Sequence, residues 1–340
     1  MATITDVAKL AGVSHQTVSR VLNAEGTVRA STQARVEDAI RQLGYRPSAA
    51  ARALATRKTG TIGLISTGSA LYGPSSITLA FNEAAGRAGY QVSIASMAIA
   101  ERGAMLAAVD RLLRQDVEAL VLIASDRSSL EAILGVELGV PLITAESSGH
   151  TGLHSVSIDQ FAGARMATAH LADLGHRRIL HLAGPAGSLD AAERERGWRA
   201  ELQQRGLPAT DPLVGDWLAG SGYRCGLQLA AAGGFSAIFS ANDQMALGLL
   251  HAFAEAGISV PRDVSIVGFD DIPESEHFTP PLTTVRQDFG ELGRRIMVTL
   301  EGALAGRKDV RSAPTRPEFI LRQSTTPTSE LDNSLGEGPA

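Results

Sequence analysis

Eight short apolar runs between residues 61 and 270, separated by helix-length segments, constrain the fold of this 340-residue chain more than any other feature. Apolar runs of five to seven residues are typical of buried strands. Strands that alternate with helical segments favour parallel sheets with crossover helices, so we predict an α/β fold. The predicted strands cover residues 61–66, 90–96, 119–125, 141–145, 155–159, 178–184, 237–242 and 265–270.

This many strands exceeds what one compact doubly wound sheet holds comfortably, so we divide the body of the chain into two lobes near Ile158–Asp159. In open sheets of this kind, ligands bind beyond the carboxyl ends of the strands, and two facing lobes therefore enclose a cleft. Polar residues collect at the predicted strand ends. They are Glu146, Asp159, Asp190 with Arg194, Asn242 with Asp243, and Asp270 with Asp271.

The chemistry of these side chains suits a sugar. Amides, carboxylates and one arginine beside Trp217 offer the donors and acceptors that hydroxyls need and a flat apolar surface for the ring. The alternative for each aspartate or asparagine is a helix cap, because these residues often cap the helix that follows a strand. A phosphate-binding loop is not indicated, since neither GxxxxGK[ST] nor GxGxxG occurs in the sequence.

The first 46 residues have a different pattern, which predicts three helices at about residues 5–11, 15–23 and 32–43. Thr5 is placed to cap the first helix, Gly12 ends it, and Ser14 caps the second. The residues predicted to be buried at helical spacing are Val7, Ala8, Ala11, Val18, Val21, Leu22, Val36, Ala39, Ile40 and Leu43. Two helices joined by a glycine-containing turn predict a helix-turn-helix, whose second helix fits the major groove of DNA.

The charge distribution supports this interpretation. Residues 1–58 contain nine Lys and Arg against four acids, a net charge of +5, whereas the rest of the chain carries −10. A basic segment on an acidic body indicates that the segment meets a polyanion while the body avoids it. In the second helix, Arg20 matches guanine, Gln16 matches adenine, and His15 reaches a base edge or phosphate. We expect Thr17, Asn23 and Thr32 to contact phosphates.

An alanine-rich segment follows the predicted helices and is too short to hold a helix alone in water. Its one large apolar side chain, Leu54, is flanked by Arg52 and Arg57, which suits a wedge entering the minor groove beside phosphate-seeking arginines. The alternative is a flexible linker.

Other classes of protein are less consistent with the sequence. No apolar run reaches the length of a membrane span, no secretory signal begins the chain, and Cys225 is the one cysteine, so we expect a cytoplasmic protein. An enzyme could use the acid pair Asp270–Asp271, but no GxSxG motif is present. His150 and His154 lack a third metal ligand and are expected in surface loops. We therefore predict no catalytic residue, no metal and no cofactor.

Six motifs carry a family resemblance: "TITDVAKLAGVSHQTVSRVLN", "LGYRPSAAARAL", "LADLGHRRILHLAGP", "ANDQMALGLL", "VSIVGFDD" and "PPLTTVRQDFGELG". Together they resemble the lactose-repressor (LacI/GalR) family of bacterial transcriptional regulators over about residues 3–326. The resemblance implies a homodimer that binds a pseudo-palindromic operator through its helix-turn-helix and a periplasmic-binding-protein-like core that responds to a small effector, usually a sugar.

The resemblance also implies the domains and the site residues. We expect a DNA-binding domain over 1–46, a hinge over 47–59, a core over 60–325 and a disordered tail over 326–340. The core lobes cover about 60–158 with 288–314, and 159–287 with 315–325. The expected DNA contacts are Thr5, Ser14, His15, Gln16, Thr17, Ser19, Arg20, Asn23, Thr32, Arg52, Leu54 and Ala55. The expected effector contacts are Leu71, Ser75, Ile77, Glu146, Asp190, Arg194, Trp217, Asn242, Asp270 and Gln287.

Several departures from the family's namesake matter for function. His15 replaces a tyrosine, so the operator is expected to differ, and Glu146 replaces an aspartate, so a glycoside other than a galactoside is expected. The carboxyl-terminal residues lack the leucine heptads that make the namesake a tetramer, so we predict a dimer. The predicted function is a repressor of sugar utilisation genes released from its operator by a sugar inducer. A co-repressor-dependent regulator and a non-regulatory sugar-binding protein are the alternatives.

Overall fold

A computed structural model describes residues 2–22, 28–45, 58–67, 70–97, 101–148, 153–307 and 313–328. They belong to two compact units, Met1–Gly60 and Thr61–Ala340, which we call the head and the core. Among the described residues, no helix combines the length and the apolar character that crossing a bilayer requires.

The described part of the head is built from three helices, α1 (Ile4–Ala11), α2 (His15–Leu22) and α3 (Ala30–Leu43). Gly12 ends α1 in the left-handed conformation at φ 64°, which glycine adopts without steric cost. Ser14 Oγ accepts a hydrogen bond from the Thr17 N–H at 3.2 Å, as the predicted cap of α2 requires. The buried apolar residues of all three helices form one cluster, made of Val7, Ala8, Ala11, Val18, Val36 and Ala39.

Three expectations about the head are wrong in detail. The cap of α1 is Thr3, because its side chain accepts from the Asp6 N–H while the Asp6 carboxylate accepts from the Thr3 N–H, and Thr5 lies inside the helix. The helix α3 begins two residues earlier than predicted. Leu43 is 37% exposed, because α3 ends there and Tyr45, whose N–H bonds to the Ile40 carbonyl oxygen, packs on the cluster instead.

The first half of the core is a parallel sheet in the order β2-β1-β3-β4-β5. Its strands are β1 (Thr61–Thr67), β2 (Gln91–Met97), β3 (Ala119–Ile123), β4 (Leu142–Ala145) and β5 (His154–Val156). The helices α4 (Tyr72–Arg87), α5 (Arg102–Leu113) and α6 (Arg127–Ile133) follow the first three strands. Val121 and its neighbour Leu122 on β3 enter different apolar clusters, so both faces of the sheet are covered.

The second half contains a four-stranded parallel sheet in the order β7-β6-β8-β9. Its strands are β6 (Ile179–Ala183), β7 (Leu213–Val214), β8 (Ala237–Ser240) and β9 (Ser265–Val267). The helices α7 (Gln160–Asp173), α8 (Leu189–Gln204), α9 (Ala219–Ala232) and α10 (Asp243–Glu255) accompany it. A 3₁₀ helix (Pro273–His277) precedes β10 (Thr284–Arg286), which pairs antiparallel with β11 (Glu318–Ile320).

The described segments of the core include three places at which the chain passes from one half to the other. After β5 it enters α7 of the second half, and after β10 it returns as α11 (Phe289–Leu304), whose apolar side chains join the cluster of the first sheet. It crosses again near Thr315, whose N–H and carbonyl oxygen bond to Ser157 and Asp159. We keep the expected lobe boundaries as a proposal that these contacts support.

The eight predicted strands are confirmed, with ends that differ by up to three residues. The predicted disorder from residue 326 is wrong at its start, because Thr326 donates its N–H to Ser265 Oγ at 3.0 Å and its carbonyl oxygen faces His176 Nε2 at 3.1 Å. The Thr328 N–H also bonds to the Leu174 carbonyl oxygen at 3.0 Å. Residues 329–340 lie outside the described part of the chain.

Candidate DNA-binding surface and ligand cleft

The exposed face of α2 carries the three residues predicted to read bases. His15, Gln16 and Arg20 are exposed, while Val18 is fully buried in the cluster of the head. Gln16 and Arg20 are four residues apart, so they lie one turn apart on the same side of the helix. An imidazole, an amide and a guanidinium are therefore all exposed on α2, the second helix of the helix-turn-helix, which is the element of this motif that enters the major groove.

The other expected DNA contacts are distributed around this surface. Ser14 and Thr17 are joined by a hydrogen bond of 3.0 Å between their hydroxyls, so both take part in the cap of α2. Thr5 is exposed on α1, Ser19 is half-buried on α2, and Thr32 is half-buried in the first turn of α3. Asn23, Arg52, Leu54 and Ala55 lie outside the described residues, as does most of the expected hinge.

The core contains a cleft of about 740 Å³, including the solvent at its mouth, between the carboxyl ends of its two parallel sheets. Nine of the ten predicted effector contacts line it: Leu71, Ile77, Glu146, Asp190, Arg194, Trp217, Asn242, Asp270 and Gln287. Ser75 does not line the cleft, because its hydroxyl donates to the Tyr72 carbonyl oxygen one turn back and the residue is exposed.

A closed ring of four buried side chains forms the floor of the cleft. Arg194 Nε donates to Gln160 Oε1 at 2.9 Å, and Gln160 Nε2 donates to Gln287 Oε1 at 2.8 Å. Gln287 Nε2 donates to Asp270 Oδ1 at 2.7 Å, and the same carboxylate oxygen lies 3.5 Å from Arg194 Nη2. Each member fixes the next, so the floor presents a preorganised polar surface.

Two aromatic side chains lie against the guanidinium group of Arg194. The Cζ atom of Arg194 lies 3.8 Å from the centroid of Phe269 and 5.5 Å from that of Trp217. Asn242 positions the indole, because its Nδ2 donates to the Trp217 carbonyl oxygen at 2.9 Å while its Oδ1 accepts from the Met245 N–H at 2.9 Å. The capping interpretation of Asn242 is therefore correct, and the cap at the same time holds the wall of the cleft.

Burial raises the pKa of Asp270 to about 6, although the nearby Arg194 guanidinium works in the opposite direction. Asp271 faces away from the cleft and bonds to Arg286 at 2.7 Å and to Arg322 at 2.6 Å. Asp243 is fully buried beside Thr284 and the Ile272 N–H, and burial raises its pKa well above the usual value. The three acids thus occupy three different environments, and Asp270 and Asp271 do not face a common site as a pair.

The first half of the core contributes a second carboxylate to the cleft. Glu146 is buried and accepts hydrogen bonds from the Ser155 hydroxyl at 2.8 Å and from the Ser148 N–H. The next residue, Ser147, donates its hydroxyl to Asp190 Oδ1 at 2.6 Å, and Asp190 belongs to the second half. This hydrogen bond closes the cleft at one side by joining the two halves.

Sequence reasoning missed Gln160 and Gln244, which both line the cleft. Each lies in the first turn of a helix that follows a predicted strand, so the rule that identified Asp190 and Asn242 could have found them. The Gln244 Oε1 atom is buried and has no hydrogen-bond donor among the described residues. His154, expected in a surface loop, is half-buried on β5, and His150 lies outside the described residues.

Comparison with known families gives one match for each unit. Residues 3–48 match the family described as bacterial regulatory proteins, lacI family, and residues 168–325 match the periplasmic binding protein-like domain. The first match covers the helix-turn-helix, and the second covers most of the second half of the core.

Individual relatives span nearly the whole chain. The lactose operon repressor of Escherichia coli (strain K12) is 36% identical over 326 residues, which cover 95% of this chain and 90% of the relative. The HTH-type transcriptional repressor PurR of Actinobacillus pleuropneumoniae serotype 3 (strain JL03) is 35% identical over 334 residues, which cover 95% and 98%. A crystal structure of the lac repressor dimer bound to operator and the anti-inducer ONPF has a TM-score of 0.86 at 34% identity and covers 96% of this chain and 99% of that one.

Proposed function

This chain belongs to the lacI family of bacterial regulatory proteins, and on that premise we propose that it is a transcriptional repressor whose effector is a small carbohydrate. The relatives are named as transcriptional repressors, and one of their structures is a dimer on its operator. We propose the same assembly here, a homodimer that binds a pseudo-palindromic operator with one head on each half-site. Such a protein works where the DNA is, so we place it in the cytoplasm.

The cleft between the two sheets is the observation that carries the carbohydrate assignment. Its floor offers the buried Arg194 and Asp270 held in a ring of hydrogen bonds, and its wall offers the indole of Trp217. Fixed polar groups below and a flat apolar surface beside them match a molecule with hydroxyls on its edges and an apolar ring face. The relative that is named for the lactose operon supports the same ligand class.

We propose that the effector acts as an inducer, which means that its binding lowers the affinity of the repressor for its operator. A ligand that binds better to the core of the unbound repressor than to that of the operator-bound repressor lowers operator affinity by the ratio of those two affinities. The expected hinge over 47–59, with Leu54 as its minor-groove wedge, is the proposed connection between the units. We further propose that the protein has no enzymatic activity, because the relatives are repressors and Asp271, the neighbour of Asp270, is committed to Arg286 and Arg322.

Operator affinity measured with and without sugars tests this function. Duplexes selected by the protein from a randomised palindromic pool serve as operator, and fluorescence anisotropy at fixed salt gives the dissociation constant. We expect one or more mono- or disaccharides to weaken binding by about 5- to 150-fold. A ligand that instead tightens binding identifies a co-repressor, and a panel of free nucleobases tests the other flat ligands that Trp217 could stack on. If none of these molecules alters operator affinity, the regulatory proposal is wrong.

Two kinds of substitution separate the sites. Arg20→Ala is expected to lose operator discrimination and keep sugar binding, because the guanidinium is exposed on α2. Arg194→Ala is expected to lose sugar binding and keep operator binding. Since this change leaves Asp270 buried without its cation, Trp217→Leu serves as a second variant that removes the indole and leaves the ring of hydrogen bonds intact. Loss of both activities in Arg20→Ala and in Trp217→Leu, with the fold retained, would contradict this division of labour.

A further inference from the structure

We infer that the effector is an amino sugar, a saccharide whose ammonium group is held by the carboxylates of Glu146 and Asp190. This inference rests on the proposed function, because it concerns the ligand of the same cleft. It names the charge of that ligand, which the proposed function leaves open.

The balance of formal charge in the cleft is the first argument. The charged side chains that line it are Glu146, Asp190 and Asp270 against Arg194. The guanidinium is committed to the floor, because its Nε, Nη1 and Nη2 atoms face Gln160, the Ala241 carbonyl oxygen and Asp270. With all four groups ionised, the described part of the cleft carries two negative charges that no described cation balances. A ligand with a phosphate or a carboxylate would increase this excess, whereas an ammonium group reduces it.

The position of the two carboxylates is the second argument. Glu146 is 5% exposed and its described partners are the neutral Ser155 hydroxyl and Ser148 N–H. Asp190 accepts from the Ser147 hydroxyl, which is also neutral. Among the described residues, no basic side chain forms a salt bridge with either acid, whereas Asp270, the third acid that lines the cleft, lies 3.5 Å from Arg194 Nη2. Because the two acids come from opposite halves, a cation between them would also join the halves.

The hydrogen-bonding capacity of the cleft is the third argument. The Gln244 Oε1 atom is buried without a donor among the described residues, and the cleft therefore contains an unpaired acceptor besides its carboxylates. A sugar hydroxyl supplies one donor and brings acceptors of its own, whereas an ammonium group supplies three donors and no acceptor. A ligand rich in donors satisfies this cleft better than a neutral polyol does.

Calorimetric titration of the dimer with matched sugars tests the inference. The pairs are glucosamine with glucose, galactosamine with galactose, and the β-1,4-linked disaccharide of glucosamine with cellobiose. N-acetylated forms remove the charge at constant position, and glucuronate reverses it. Titration at pH 6.5 keeps the amines protonated. For the pair that binds, we expect the amine to bind about tenfold tighter or more than its neutral and N-acetylated partners, and glucuronate to bind weakest.

Variants identify the groups responsible. Glu146→Gln and Asp190→Asn keep shape and the ability to accept from Ser155 and Ser147, and each is expected to reduce the preference for the amine by about tenfold. Glu137→Gln, at an exposed acid of the same unit outside the cleft, is the matched control and should keep the full preference. Thermal unfolding of each variant establishes that it is folded.

The outcomes separate this inference from the function on which it rests. A neutral or acidic sugar that binds as tightly as its amine and shifts operator affinity overturns the inference and leaves the proposed function standing. A preference for the amine that survives in both Glu146→Gln and Asp190→Asn also overturns it. If no saccharide of any charge binds, both the inference and the carbohydrate assignment are wrong.

Discussion

His181 lies at the centre of the second sheet as a polar ring between two aromatic ones. Its centroid is 4.7 Å from that of Phe239 and 5.3 Å from that of Trp198, and the side chain is fully buried. Nδ1 lies 2.9 Å from the Phe239 carbonyl oxygen, and Nε2 has no hydrogen-bond partner among the described residues. Burial lowers the pKa of His181 to about 4. The neutral ring is therefore the form that the core accepts.

We predict that His181 makes the core sensitive to acid and that His181→Leu removes this sensitivity. The folded-state pKa lies below that of the unfolded chain, so stability is fully present above about pH 6.5 and is lost as the pH falls toward 4. Between pH 7.5 and pH 5 the loss should be about 2 kcal/mol more in the wild type than in the variant. Urea unfolding at both pH values, at equal protein concentration, measures it. His277→Gln, at a largely exposed histidine, should lose as much as the wild type, and an equal loss in His181→Leu would contradict the prediction.

The ring of hydrogen bonds in the cleft leads to a second prediction at this scale. Gln160→Leu leaves Arg194 Nε and Gln287 Oε1 without partners, and an unpaired buried polar group costs about 1–3 kcal/mol. Since two groups lose their partner, we expect the free energy of unfolding to fall by about 2 kcal/mol or more. Effector affinity should fall with it, because Arg194 and Asp270 lose their fixed positions. Gln204→Leu, which removes an exposed partner of Arg165 on α8, is the control. A stability change in Gln160→Leu no larger than in this control would show that the ring does not position the floor.

The residues of the cleft were predictable to the extent that position along the chain determines position in the fold. Asp190, Asn242 and Asp270 follow strands of parallel sheets, so their common location follows from topology alone. The direction in which each side chain points, by contrast, does not follow from topology. Asp271 points toward Arg286 and Arg322, whereas its neighbour Asp270 points into the cleft. Both aspartates have a positive φ, in a turn whose shape depends on contacts with residues distant in sequence.

At the scale of elements, the packing of α9 on α10 depends on residues without side chains. A Cβ atom on Gly222 would lie 2.0 Å from the Met245 carbonyl oxygen, and one on Gly248 would lie 2.0 Å from that of Ala219. The two helices therefore touch backbone to backbone. This contact fixes Met245 and, through the cap on Asn242, one wall of the cleft.

We predict that Gly222→Ala destabilises the core by about 1–3 kcal/mol or more, because the backbone of α10 must move to admit the methyl group. Gly220, two residues earlier on α9, is the matched control: its Cβ atom would meet no atom closer than 3.6 Å. Gly220→Ala should stabilise the protein by up to about 1 kcal/mol through helix propensity. Chemical unfolding of both variants gives the comparison, and a Gly222→Ala protein as stable as Gly220→Ala would show that α9 and α10 are not in close contact.

The strands illustrate why some elements are visible in the sequence and others are not. The strands β1 and β3 are buried along almost their whole length, and each carries a concentration of apolar residues, ALVLI in β3 and Ile62, Leu64 and Ile65 in β1, that marks it in the sequence. The strands β7, β10 and β11 have two or three residues each and were not predicted. Their own residues carry too short a pattern to be read, and they are strands because a neighbouring strand supplies the hydrogen bonds.

At the scale of the whole molecule, the division of charge could be read from the sequence directly, because it needs no coordinates. The net charge of +5 in residues 1–58 and of −10 in the remainder assigns opposite electrostatic roles to the head and the core. The hydrogen bond from Ser147 to Asp190, by contrast, joins residues 43 positions apart in different halves. A contact of this kind depends on how the halves close, which no local pattern determines.

This division of charge predicts a steep dependence of operator binding on salt. Two basic heads that neutralise about 6–10 phosphates release their counterions, so affinity should fall by about 10³- to 10⁵-fold between 50 and 200 mM salt. Arg29, exposed in the turn that begins α3, should contribute a phosphate contact, and Arg29→Gln should reduce the slope of log affinity against log salt by about 1 per head. Arg87→Gln, at an exposed arginine of α4 in the acidic core, should leave the slope unchanged. Equal slopes for these two variants would contradict the prediction that the positive charge of the head acts through phosphate contacts. The excess of basic residues in the head would then need an explanation other than DNA binding.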